Sequence, residues 1–164
     1  TGDMCGDPHP DKNLGTNADP YHDYVTINDT VPYFYFVQGN HDLSNRKTYD
    51  LKNVDGSSCY LDQKVISTPI GRIGGVSGIV VPETNINDKL HKYDEETYIE
   101  RLTDILDRKP DVLLTHMPIF NLNLDNSIMD NLLYFFGHAH YTNYILDTEP
   151  GLSLNRDGRI FVFE

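Results

Sequence analysis

Four short groups of side chains could together do chemistry that none could do alone. They are Asp3 in Gly2-Asp3, the run Gly39-Asn40-His41-Asp42, His116 after Thr115, and the pair His138 and His140 in Gly137-His138-Ala139-His140. Carboxylate, amide oxygen and imidazole form a donor set that suits borderline divalent metals such as Mn, Fe, Zn, Co or Ni, whereas Mg or Ca would favour carboxylates and water. An aspartate can bridge two ions because its two oxygens bind separately. Two ions held ~3.5–4 Å apart can clamp both oxygens of an in-line displacement at phosphorus and lower the pKa of a water between them. His-x-His puts two imidazoles on the same side of an extended segment. Singly, each group has a plain alternative: a turn for Gly2-Asp3 and for Asn-His-Asp, a packed or capping histidine for His116. Their joint occurrence carries the signal.

These side chains need elements that bring them together. Val31–Val37 is an apolar and aromatic run of strand length that closes on Gly39-Asn40. Asp111–Thr115 is a second run, ending at His116, and Leu132–Phe136 a third, ending at Gly137-His138. Short continuous apolar runs of this kind read as strands buried on both faces. Polar motifs at their carboxyl ends are where layered α/β proteins build sites. A helix is expected over residues 20–29. A second is expected from Asp94 to Lys109, with Tyr98, Leu102, Ile105 and Leu106 on one face and Pro110 ending it. Short strands are expected at Cys59–Leu61, Lys64–Ile66 and Arg159–Phe163. The glycine-interrupted stretch 71–81 reads as a strand pair or a bulged strand. Residues 43–58 and 82–93 read as polar loops.

The chain has 164 residues and a formal net charge of −12. The length fits one domain with a core of its own. The negative balance repels nucleic-acid phosphates at long range and argues against a general nucleic-acid coat. It leaves room for a phosphodiester as substrate, because bound cations would reverse the sign locally. Cys5 and Cys59 form no C-x-x-C pair and read as two free thiols in a reducing compartment, which points to the cytoplasm. No apolar stretch approaches the ~20 residues of a membrane-spanning helix, so no membrane partner is expected.

Taken in order, the four motifs resemble the calcineurin-like metallophosphoesterase superfamily, whose pattern runs D-x-H, G-D, G-N-H-D or G-N-H-E, H, then G-H-x-H. The resemblance spans Gly2 to His140. It implies an α/β fold with a central β-sandwich flanked by helices, in α/β/β/α layers. It implies a metal-dependent phosphohydrolase acting on a phosphomonoester or phosphodiester through metal-activated hydroxide. Asp3 would bridge two divalent ions; Asn40, His116 and His138 would bind one of them and His140 the other. His41 would protonate the leaving oxygen, with Asp42 orienting it. The family's D-x-H motif belongs ahead of Gly2-Asp3. Residues 1–164 are therefore expected to be a single, N-terminally truncated domain that lacks the first strand and holds one ion firmly and the other weakly. Asp7-Pro8-His9 matches the letters of that motif but follows Gly2-Asp3 and has no apolar strand before it.

The substrate is less defined. Ile70–Ile79 and His41–Asn45 are similar to stretches of RNA lariat debranching enzymes, which would imply a 2′-5′ phosphodiesterase. The plainer reading is that the glycines let a strand pack closely. A catalytically impaired, metal-binding scaffold domain is the alternative from another class. Tyr33, Phe34, Tyr35 and Phe36 read as core before they read as base-stacking platforms; Tyr141 and Tyr144, just after the last motif, are better placed than these to line a substrate rim.

Overall fold

The computed structural model describes residues 2–3, 19–120, 122, 124, 131–139, 145–148 and 151–155. Its elements are α1 (Tyr21–Thr30), α2 (Arg46–Tyr49), β1 (Lys64–Thr68), β2 (Gly71–Val76), β3 (Ile79–Val80), β4 (Lys92–Tyr93), α3 (Glu95–Asp107), β5 (Val112–Thr115), β6 (Leu133–Phe136), β7 (Ile145–Thr148) and β8 (Gly151–Asn155). The protein is mixed α/β with a mostly parallel central sheet. Among the described residues that sheet has six strands, in the order β1-β2-β5-β6-β8-β7. Strands β2, β5, β6 and β8 run parallel, and β1 and β7 close the two edges antiparallel. Strands β3 and β4 form a separate two-stranded parallel pair. Among the described residues no helix is long and apolar enough to cross a membrane.

Burial on both faces explains the unbroken apolar runs. Leu113, Tyr134 and Phe136 face one side of the sheet and pack with Tyr98, Leu102 and Ile105 of α3. Val112 and Leu114 face the other side and pack with Val37, Leu61 and Ile73. Tyr98, Leu102 and Ile105 are fully buried at the i, i+4, i+7 spacing of one helix face. Asp94 caps α3, accepting from Thr97 N at 2.8 Å and from Thr97 Oγ1 at 2.9 Å.

Helices α1 and α3, and strands β1, β5 and β6, fall where the sequence predicts them. The run 31–37 does not form a ladder. It is extended and buried at Phe36 and Val37, and among the described residues it pairs only through the Phe36–Tyr60 bridge. Side chains take the place of a neighbouring strand: Phe34 N–H donates to Asn53 Oδ1 and Gln38 N–H to Ser77 Oγ. Cys59–Leu61 is the other half of that bridge rather than a strand of its own. The stretch 71–81 divides into β2 and β3, which belong to different sheets. The polar residues expected to be irregular carry the short helix α2 and strand β4. The β7–β8 hairpin was not foreseen. Its signal is the Pro150-Gly151 dipeptide, followed by the alternating Leu152-Ser153-Leu154. Arg159–Phe163 lies outside the described residues, as does Cys5; Cys59 is free and buried.

The aromatic run is core. Tyr24 stacks on Phe36 with ring centroids 3.9 Å apart, and Phe34 stacks on Phe36 at 5.1 Å. Tyr33 alone of the four is exposed. Tyr141 and Tyr144 lie outside the described residues.

Candidate metal centre

Parallel strands β5 and β6 lie side by side, so their carboxyl ends deliver His116 and His138 to one place. The imidazole rings meet edge to face with centroids 4.9 Å apart. Gly137 N–H donates to His116 O at 2.9 Å and ties the two loops together. The bridged segment 34–38 delivers Gly39–Asp42 to the same end, and Gly2-Asp3 lies against it. A Cβ on Gly39 would collide with the Asp3 carboxylate, and one on Gly2 with Gly39 N, so only glycine fits at both positions where the two motifs meet.

Asp3, His116 and His138 form the centre. One ligand-type atom from each lies within 4.8 Å of the others. Asp3 Oδ2 is 3.1 Å from His116 Nε2, and Asn40 Oδ1 is also 3.1 Å from that nitrogen. Two oxygen acceptors thus converge on one imidazole nitrogen. A single N–H satisfies only one of them at full strength, whereas a cation between the three atoms satisfies all. His116 and Asn40 are buried, Asp3 is partly buried and His138 is exposed, so the donor set is open on the His138 side. Asp3 and His138 both have positive φ, 54° and 61°. Left-handed backbone costs a non-glycine residue roughly 1–2 kcal/mol. Strain of this kind at two of three converging donors is a mark of a functional site.

The carboxylates differ in state. Burial alone would raise the pKa of Asp3, but the His116 hydrogen bond and charge and the His41 backbone N–H outweigh it and bring it down to about 2. Asp3 Oδ1 accepts from that N–H at 2.9 Å. The pKa of Asp42 is raised, chiefly by burial and further by the neighbouring Asp3 charge, against hydrogen bonds that favour its ionised form. Its Oδ2 accepts from Asp3 N at 2.8 Å, Gly39 N at 2.9 Å and Tyr24 Oη at 3.2 Å. None of these bonds reaches His41. Asp42 therefore clamps the backbone of two motifs, in place of the expected pairing with the His41 imidazole. His41 Nδ1 and Asp42 Oδ1 are both buried with no hydrogen-bond partner among the described residues.

Of the residues singled out in the sequence, the structure brings together Asp3, Asn40, His116 and His138 and sets His41 and Asp42 in the adjoining loop. His140 and the Asp7-Pro8-His9 segment lie outside the described residues. Several supporting residues left no readable signal. Tyr134 is fully buried; its Oη lies 2.7 Å from Thr115 Oγ1, accepts from Ile119 N at 3.1 Å and donates to Met117 O at 3.2 Å. It thus braces the turn that carries His116. His91 is buried behind Gln38, with Nε2 3.0 Å from Gln38 Oε1. Its burial lowers its pKa and favours the neutral ring. Only the fold places these groups next to the centre.

In comparisons with protein-family models, curated proteins and solved structures, nothing matches this chain.

Proposed function

We propose that this protein is a metal-dependent phosphoesterase of the calcineurin-like metallophosphoesterase superfamily, built on that family's layered β-sandwich. The observation that carries the reading is the convergence of Asp3, Asn40 and His116 within hydrogen-bonding distance, with His138 beside them, at the carboxyl ends of adjacent segments. These residues fit a borderline divalent ion: two imidazole nitrogens, an amide oxygen and a carboxylate that is ionised across the working pH range. They would hold one ion. Asp3 together with His140 would serve the second. When bound, such ions supply Lewis acidity toward a phosphoryl oxygen and lower the pKa of water.

The chain's own residues do the rest. Asp3 is held ready by its two partners, His41 N and His116 Nε2. Asp42 fixes the loop by gripping Gly39 N and Asp3 N, which sets where His41 stands. His41 gives a proton to the leaving oxygen. The alternative of a lariat-debranching substrate draws less support. A Cβ on Gly74 would come within 2.7 Å of Ile105 Cγ2, and one on Gly75 within 2.6 Å of Val37 Cγ1. Close packing on both faces of β2 therefore accounts for those glycines without a substrate.

The test is turnover of aryl phosphomonoesters and phosphodiesters after chelation and again after Mn²⁺ is restored. Activity that disappears and returns with the metal is the expected result; metal binding without turnover of any ester would favour the scaffold reading. Replacing His41 with Ala should lower turnover by about 10²–10⁴-fold, the usual worth of a general acid, with metal content unchanged. A parallel fall in metal content would show that His41 is a ligand and not the acid.

A further inference from the structure

A cleft of about 440 Å³ opens directly from the candidate centre. Its lining joins His138 of the centre to the apolar Val80, Met117, Pro118 and Leu122 and to Glu95. The volume lies in the range of small-molecule sites, and an apolar lining with one charged group is their usual composition. The walls are anchored. Val80 N–H donates to Met117 Sδ at 3.4 Å, and Met117 O is held by Thr115 Oγ1 at 2.6 Å and Tyr134 Oη at 3.2 Å. A second recess shares Val80 and Glu95 and carries Glu83, Asp94 and Glu96 on its lining. Neither lining contains a lysine or arginine among the described residues, and no described cation pairs with Glu95. Asp94 is committed to capping α3, and the first-turn position of Glu95 suits the helix dipole. Its exposed side chain nevertheless lines the cleft with no cationic partner among the described residues.

We infer that this cleft receives the organic part of the phosphoester and selects an apolar group with a cationic end over an anionic one. The inference deepens the phosphoesterase reading and rests on it. A phosphoryl group at Asp3, His116 and His138 leaves its ester substituent to run past His138, where Met117, Pro118, Leu122 and Val80 bury a group the size of an aromatic ring. Beyond that ring a positive charge meets Glu95 and the acidic recess, and a negative charge meets repulsion. Nucleotides and polyphosphates, anionic past the reacting phosphorus, are disfavoured by the same field that the net charge of −12 sets over the whole surface.

The experiment uses the full chain with Mn²⁺ and matched phenyl phosphoesters carrying a para aminomethyl, methyl or carboxylate group, offered as monoesters and as methyl diesters. For the wild type, kcat/KM for the aminomethyl ester should exceed that for the carboxylate ester by about tenfold at low salt, as expected of a single exposed charge at short range. Glu95→Gln should reduce that ratio by about threefold or more, and Glu95→Lys should bring it below the wild-type ratio by about tenfold or more. Intrinsic differences in ester reactivity cancel when wild type and variant are compared. A ratio that does not change with Glu95 overturns the inference and leaves the phosphoesterase reading standing. A second arm needs no turnover: the methyl resonance of Met117 is followed while benzylammonium or benzoate is added. It should move with benzylammonium and less with benzoate, and Glu95→Gln should narrow the gap. An unmoved Met117 methyl with both compounds overturns the inference even if esters are hydrolysed. A Met117 response without any ester turnover removes the phosphoesterase reading and supports the selectivity of the cleft.

Discussion

The two loops that bring side chains to the centre are held by opposite kinds of chemistry. The turn after β5, carrying His116, is braced by neutral hydroxyls: Thr115 Oγ1 and Tyr134 Oη both reach Met117 O, and Tyr134 Oη also takes the Ile119 N–H. The loop Gly39–Asp42 is braced by a buried carboxylate, with Asp42 Oδ2 taking Gly39 N, Asp3 N and Tyr24 Oη. Hydroxyl bonds add modestly to stability and do not titrate in the working range. A buried carboxylate grips more firmly, and breaking its bonds strands several donors. The residues of the candidate centre divide the same way. His116 rides on the neutral brace, and Asp3 is tied to the charged one.

That contrast predicts unequal losses. Asp42→Ala leaves Gly39 N, Asp3 N and Tyr24 Oη without their acceptor in a buried setting, and should destabilise the protein by about 3 kcal/mol. Denaturant unfolding of the metal-free protein measures this. Asp42→Asn keeps one acceptor oxygen and should cost roughly half as much, because it also removes a charge that burial disfavours. Equal losses for the two variants would mean that the charge, and not the acceptor geometry, is what holds the loop.

How far the site could be read in advance follows the same division. The two histidine-bearing motifs after β5 and β6 were legible because buried strands show as unbroken apolar runs and polar residues stand directly after them; Asn40 follows a similar run that forms no ladder among the described residues. The layout of β5 and β6 follows from those runs alone. The long-range partners of Asp42 were not legible, since Asp3 and Tyr24 meet it only through tertiary contacts 39 and 18 residues away in the chain. Tyr134 looked like any core aromatic within Leu132–Phe136, and nothing in its neighbours marks its hydroxyl as the brace of His116. The run Val31–Val37 shows the limit of reading a strand from composition. The residues are apolar enough, but their hydrogen bonds go to Asn53, Cys59 and Leu61, none of which the run itself reveals.

The acid limb of stability separates the two carboxylates. The pKa of Asp3 is lowered in the folded protein from 3.8 to about 2. Its contribution is therefore fully present above the unfolded value, and is lost as pH falls from about 4 toward 2. The size is about 2 kcal/mol by linkage. The pKa of Asp42 is raised, so its contribution has the opposite sign and grows as pH falls through that raised value. The difference between wild type and Asp3→Asn isolates the Asp3 part. It should shrink between pH 4 and pH 2 in the metal-free protein. A difference that stays constant over that interval would show that Asp3 gains nothing from His116 and His41 on folding.

The neutral brace should give the smallest stability effect and the more informative one. Tyr134→Phe keeps the ring packed on Phe136, where the centroids are 5.2 Å apart, and removes only the hydroxyl. Ile119 N loses its acceptor and Met117 O keeps Thr115, so the cost is about 1–2 kcal/mol. Because His116 directly precedes Met117, loosening that turn should lower metal affinity and turnover together. KM for an aryl ester should rise as kcat falls, since the same turn carries both His116 and the Met117 wall of the cleft. Metal titration by calorimetry and steady-state kinetics on the same variant would check it. Unchanged metal affinity beside a clear loss of stability would mean that the hydroxyl holds the core and not the centre, and that the charged clamp alone positions the site.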